Sequence, residues 1–158
     1  MQAPRVYADT SVFGGVFDEG FAQASRAFFH CVEEGRIALV ISEIVRAEAL
    51  RAPTWVAELY ADMAIRAESV EVTPRAEALA LAYLARGIVT PRWEADALHV
   101  ALATVSMCAA IVSWNFSYIV HLGRMPLYNE VNRAEGYTDI TIVTPEVAVY
   151  YESTGEGL

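Results

Sequence analysis

Val6-Tyr7-Ala8 runs straight into Asp9, Ile37 to Ile41 into Ser42, and Ala110 to Trp114 into Asn115. Runs this short, apolar at successive rather than alternate positions, describe strands buried on both faces of a sheet. Val70–Val72 and Ile140–Val143 read as two further short strands. Between them lie longer stretches with helix punctuation. Ala22 to Glu34 has helical periodicity and Gly35 can close it in the left-handed conformation. Ser42 is an N-cap for a helix through Ala52, stopped by Pro53. Trp55 to Glu68 reads as the next helix, and Thr73-Pro74 opens another that runs to Arg86 and stops at Gly87. Thr90-Pro91 repeats the opening signal ahead of Asp96. Asn129 to Gly136 reads as a short helix or loop, Pro145 starts a short helix at Glu146, and Gly14-Gly15 reads as a break after Phe13. This alternation predicts an α/β domain with a mainly parallel sheet and helices on both faces. At 158 residues the chain holds one domain, read as residues 1–150, with 151–158 as a small polar tail that frays.

All 11 basic residues are Arg, and Lys is absent. That removes the P-loop, whose Lys reaches the terminal phosphates, and any Schiff-base chemistry. Against 20 acidic residues the net charge is −9, which argues against a generic basic nucleic-acid binder. The first residues, Met1 to Asp9, contain no apolar core of a signal peptide. Ala97 to Trp114 lacks charged residues but carries His99, Thr104, Ser106 and Ser113, so it reads as a buried helix followed by a buried strand rather than a membrane span. The expectation is a cytoplasmic protein with no membrane contact. Cys31 and Cys108 have no motif spacing and read as small core residues.

Ligands of open parallel sheets bind at the carboxyl ends of the strands. There the chain offers Asp9 and Asn115, each directly after a strand, Glu48 in the helix behind the second strand, and Asp96 in a helix first turn. Each has a plainer reading. Asp9 could belong to a turn or cap, Asp96 could complement a helix dipole, Glu48 could be a solvated charge between Arg46 and Arg51, and Asn115 could be a strand-end turn residue. Asp96, however, is followed by Ala97, Leu98, Val100, Ala101 and Leu102, and a helix so apolar rarely hosts an unpartnered carboxylate. Glu43 lies about 140° from Glu48 around a helix, so the two cannot share a site. His99 shares a face with Asp96 and is expected to orient it or fill the core edge, with metal ligation as the alternative.

Carboxylates cannot cluster ionised without a counter-charge. With no Lys to hand, the natural one is a hard divalent cation, Mg²⁺ or Mn²⁺, which prefers oxygen ligands and suits phosphoryl chemistry.

The segments Tyr7-Ala8-Asp9-Thr10-Ser11-Val12-Phe13-Gly14-Gly15, Ile41-Ser42…Ala47-Glu48, Ala95-Asp96-Ala97-Leu98-His99-Val100-Ala101 and Ile111-Val112-Ser113-Trp114-Asn115-Phe116 resemble, in order and spacing, the motifs of PIN-domain proteins. The stretch Asn132…Gly136-Tyr137…Ile140…Ile142…Thr144-Pro145-Glu146 resembles the bacterial, VapC-like branch. The resemblance implies a three-layer α/β/α fold and a Mg²⁺- or Mn²⁺-dependent endoribonuclease that hydrolyses RNA with a metal-activated water. It implies the toxin half of a toxin–antitoxin pair, with a small antitoxin protein as partner and a homodimer as the assembly. Asp9, Glu48 and Asp96 match the three core acids, as metal ligands and catalytic residues. Asn115 falls where many members carry a fourth Asp, and Thr10 or Ser11 matches the supporting hydroxyl. Phe116-Ser117-Tyr118 stands where relatives often carry a basic residue. The alternative is a catalytically weakened metal-binding module that acts through a partner. Trp55, Tyr60 and Tyr83 are expected on the surface, where they would serve a dimer, with core packing as the other reading.

Overall fold

The computed structural model describes residues 2–158. Five strands form one sheet in the order β3-β2-β1-β4-β5: β1 (Arg5–Ala8), β2 (Ala38–Ser42), β3 (Glu68–Val70), β4 (Ala110–Val112) and β5 (Thr141–Val143). Every pairing is parallel, with Tyr7 level with Val40 on one side and Ile111 on the other. Parallel neighbours need crossover connections, and helices supply them. On one face lie α1 (Thr10–Gly15), α2 (Ala22–Glu33), α3 (Glu43–Arg51) and α4 (Thr54–Ala64), and α8 (Pro145–Thr154) packs on α2. The other face carries α5 (Pro74–Ala85), α6 (Glu94–Val105) and α7 (Met125–Ala134), which pack on one another. Right-handed crossovers require this split: the chain steps outward from β1 to β3, then returns to β4 on the far side of β1. The result is the expected three-layer α/β/α architecture, with the sheet parallel throughout.

The apolar runs became the strands because both sheet faces are covered. Val6, Tyr7, Ala8, Val40, Ile41 and Ile111 are all buried, and Phe13, Phe28, Tyr83 and Tyr128 fill the layers above and below. Ser42, Thr73 and Thr144 cap α3, α5 and α8 by accepting the N–H three residues on. Gly35 and Gly87 adopt positive φ at helix stops, as a residue without Cβ can do without strain. Cys31 and Cys108 are buried and unpaired. Among the described residues no helix is long and apolar enough to cross a membrane.

Several boundaries differ from expectation. Gly14 and Gly15 do not break the chain but complete α1, whose Val12 and Phe13 are buried; that packing outweighs the modest helix cost of glycine. The helix begun near Trp55 stops at Ala64, and Glu68 belongs to β3, where backbone pairing to β2 prevails over helix propensity. Thr90 caps no helix: Pro91–Trp93 form a 3-10 turn and α6 begins at Glu94. The segment read as a short helix or loop from Asn129 is a helix that starts at Met125. Helix α8 runs to Thr154, into the stretch read as a tail, and Glu152 pairs with Arg36. Tyr60 and Tyr83 lie in the core, while Trp55 is exposed.

Close approach at Gly15 holds α1 against the chain that leaves β4. A Cβ there would stand 2.6 Å from Ser25 Oγ and 2.7 Å from Trp114 Nε1, the two atoms that hydrogen-bond each other at 2.8 Å. Gly15→Ala is therefore expected to cost about 1–3 kcal/mol of stability. The measurement is a urea titration, in which the midpoint falls at unchanged slope.

Candidate functional site

The strand order reverses between β1 and β4, which makes the crevice at their carboxyl ends the topological switch point. Asp9 sits there, one residue past β1, with its N–H donated to Val112 O at 3.3 Å. Its position is the N-cap of α1, yet its carboxylate makes no capping bond. Instead Ser11 Oγ donates to Oδ1 at 2.5 Å and Ser113 Oγ to Oδ2 at 2.7 Å. Each hydroxyl also accepts a backbone N–H from the chain leaving β4, Ser11 from Trp114 and Ser113 from Asn115, both at 2.9 Å. Two serines thus stitch Asp9 across the switch point. Asp9 is only 4% exposed. Burial raises its pKa above the usual carboxylate value and the Glu48 charge adds to this, against the opposing pull of His99, Ser11 and Ser113.

Glu48 reaches the same crevice from the middle of α3. Its Oε1 accepts Thr10 Oγ1 at 2.8 Å and lies 2.6 Å from His99 Nε2. Burial alone would push this carboxyl up, but the bond to His99, the charge on His99, the Thr10 hydroxyl and Arg51 outweigh it and hold Glu48 below its ordinary value. His99, on α6, is buried. Burial works against its charge, yet the Glu48 bond and the charges of Asp9, Glu48 and Asp96 together raise its pKa. The ring's other nitrogen, Nδ1, lies 2.7 Å from Tyr7 Oη, which is 2.8 Å from Ser42 Oγ. In the imidazolium form both ring nitrogens donate, to Glu48 and to Tyr7.

Asp96 stands in the first turn of α6, half-buried. Burial raises its pKa and the Asp9 and Glu48 charges raise it further, while His99 and the neighbouring Asn115 amide lower it. Asn115 Oδ1 accepts the N–H groups of Ser117 and Tyr118 at 3.1 and 3.0 Å. It is the strand-end turn residue of its plainer reading, and it stands beside Asp96 as well.

The structure thus brings Asp9, Glu48, Asp96 and Asn115 to one edge of the sheet, with Thr10, Ser11 and His99 bonded among them. Of the two expectations for His99, the ring fills the core edge, and it bonds Glu48 on the facing helix rather than Asp96 on its own. Both Thr10 and Ser11 supply hydroxyls to the site, each to a different acid. Glu43 points away, accepting the Val72 N–H. Sequence reasoning missed Ser113, Tyr7 and Ser42 as members of the network. A serine closing an otherwise apolar strand two residues before Asn115 was the available signal for Ser113.

Asp9, Glu48 and Asp96 offer a hard divalent cation carboxylate oxygens, with the amide oxygen of Asn115 next to them. Glu48 Oε2 has no protein donor among the described residues, and burial, with the neighbouring acids, makes Asp9 and Asp96 resist ionisation. That donor chemistry fits Mg²⁺ or Mn²⁺. Among the described residues no three acidic, His or Cys side chains already stand as a coordination group, so the carboxylates would have to close on an ion.

A carboxyl whose pKa is higher folded than unfolded costs stability as pH rises through the interval between the two values. Asp96→Asn removes that cost. In chelator at neutral pH the variant is expected to be more stable than wild type, with a higher Tm. The advantage should vanish as pH falls below the ordinary carboxylate range, where Asp96 is protonated anyway. Thermal melts across pH read this directly.

No family model and no curated protein matches this sequence. Solved structures do match its fold. VapC20 of Mycobacterium tuberculosis, a sarcin–ricin loop cleaving toxin, aligns with a TM-score of 0.55 over 86% of this chain and 98% of its own, at 14% identity. A chain of VapBC2 from Rickettsia felis, solved bound to a DNA fragment from their promoter, aligns with a TM-score of 0.53 over 72% of this chain and 89% of its own, at 12% identity. The chain therefore has the PIN-like fold of VapC proteins, and at these identities the likeness is one of fold.

Proposed function

We propose that this protein is a metal-dependent endoribonuclease and the toxin half of a toxin–antitoxin pair. One observation carries the reading: a buried carboxylate at the switch point, Asp9, spent on no structural cap and charge-coupled to Glu48 and Asp96. The fold it shares with a toxin that cleaves the sarcin–ricin loop supports RNA as the substrate class. The likeness to VapBC2 supports a small antitoxin partner.

Asp9, Glu48 and Asp96 would hold the ion, with Asn115 steadying Asp96. When bound, Mg²⁺ or Mn²⁺ supplies charge neutralisation at the phosphodiester and a more acidic water. Ser11 and Ser113 fix the Asp9 carboxylate by donating to both its oxygens. Thr10 and His99 fix Glu48 through Oε1 and leave Oε2 without a protein donor among the described residues. Asp9 and Glu48 are thereby oriented by the side chains behind them, as supporting partners of metal ligands do, and the three acids would close together on the ion.

Purified protein is expected to cut RNA with Mg²⁺ or Mn²⁺ and to stop in chelator. Asp9→Asn and Asp96→Asn should each lower the rate by more than about 100-fold, since even outer-sphere partners of metal sites are worth ~10–100-fold. Cutting that survives either substitution would defeat the assignment. A second reading has one observation in its favour: the Asn115 oxygen is occupied by two backbone N–H groups. On that reading the chain binds metal and acts through its partner, and calorimetry would show metal uptake with no cleavage of any RNA.

A further inference from the structure

Beside Asp96 the surface carries a run of flat groups in mutual contact. The Trp93 ring precedes α6 by one residue and stacks on Tyr118, with centroids 5.3 Å apart and planes at 27°. The Arg92 guanidinium lies 5.1 Å from the Trp93 centroid, and that of Arg124 lies 5.0 Å from the Tyr118 centroid. The run adjoins the acid site from two directions. Trp93 is one helical turn before Asp96, and the Tyr118 N–H is held by Asn115, whose amide neighbours Asp96. Tyr118 is anchored again through its carbonyl, which accepts the Tyr128 hydroxyl. Arg124 is fixed by donating Nε to Ile88 O at 2.9 Å.

Three properties of this surface point to one ligand chemistry. First, Trp93 is 38% exposed, a large ring at the lip of a polar site with no core role that demands exposure. Second, neither Arg92 nor Arg124 has an acidic salt-bridge partner among the described residues, although the chain is strongly acidic and Arg5, Arg36, Arg86 and Arg133 are paired. Third, indole faces and guanidinium groups side by side match the two halves of an unpaired nucleotide: a base that stacks and a phosphate that accepts charged hydrogen bonds. A base-paired strand presents no free base face, so the match is to single-stranded RNA.

We propose that Arg92, Trp93, Tyr118 and Arg124 form a clamp for an unpaired RNA nucleotide next to the acid site. The exposed Arg92 guanidinium swings off the Trp93 ring it now covers, the base stacks on the indole that Tyr118 backs, and the two guanidinium groups meet the flanking phosphates. This rests on the ribonuclease reading and adds to it the demand that the target be locally unpaired. It also shows how a chain of net charge −9 meets a polyanion: through a local pair of uncompensated arginines.

The test is fluorescence anisotropy in chelator, so that no RNA is cut, with a fluorescein-labelled single-stranded RNA of about ten nucleotides. Trp93→Ala is expected to weaken binding by about 5- to 150-fold, and Trp93→Phe to restore most of it. Arg92→Ala should lower the slope of log affinity against log salt by about 0.7. A duplex of the same sequence should bind more weakly and ignore Trp93→Ala. The clamp is overturned if Trp93→Ala binds the single strand within twofold of wild type, or if single strand and duplex respond alike. Should Trp93→Ala fail to fold, the salt slope of the exposed Arg92→Ala variant decides by itself. A wild type that cleaves RNA with metal while Trp93→Ala binds normally loses the clamp and keeps the nuclease. One that binds through Trp93 and never cleaves does the reverse.

Discussion

His99 stands 2.6 Å from Glu48 in a region where burial and like charge both resist ionisation. In a chain without Lys, and with Arg51 as the arginine felt by Glu48, this imidazole, whose pKa the neighbouring acids raise, is the buried group able to carry positive charge among them. It lowers the cost of ionising Asp9, Glu48 and Asp96 alike. Glu48, Asp9 and Asp96 favour its charged form against burial, and Tyr7 and Ser42 continue the hydrogen-bond chain behind it. Removing one partner from such a network would strand a buried polar group at a cost of about 1–3 kcal/mol. The acidic edge therefore depends on a histidine that belongs to the core as much as to the site.

Topology and chemistry meet at β1. As the central strand it is buried on both faces, and its carboxyl end is the place where crossovers diverge and leave a crevice. A buried carboxylate there needs donors. The chain that leaves β4 supplies Ser113, and α1 supplies Ser11. The same loop places Asn115 beside Asp96 and Tyr118 against Trp93, so the acid edge and the aromatic lip share one framework. Gly15 allows Trp114 to pass close enough to bond Ser25, which holds that framework against α1 and α2.

Legibility was uneven for physical reasons. The strands could be read because double-sided burial leaves only apolar side chains between turns, and Asp9 stood out because it ends one of them. Ser42 and Thr73 could be read because a cap is a contact over three residues. Tyr60 and Tyr83 could not be placed, since their burial depends on which helices pack over them. The spacing of His99 suggested Asp96, three residues away on its own helix. The side chain instead reaches Glu48, 51 residues away in sequence, because the opposing helix brings a carboxylate to the ring edge.

By itself the amino-acid sequence determined the class of fold, the caps and stops of most helices, and the identity of the acids at the sheet edge, because all of these follow from patterns a few residues long. Tertiary structure decided who holds whom: Ser113 on Asp9, His99 on Glu48, Trp93 on Tyr118. Those contacts join segments that meet only after the crossovers have closed, and a hydrogen bond or a stacked ring is decided by position in space rather than by distance along the chain.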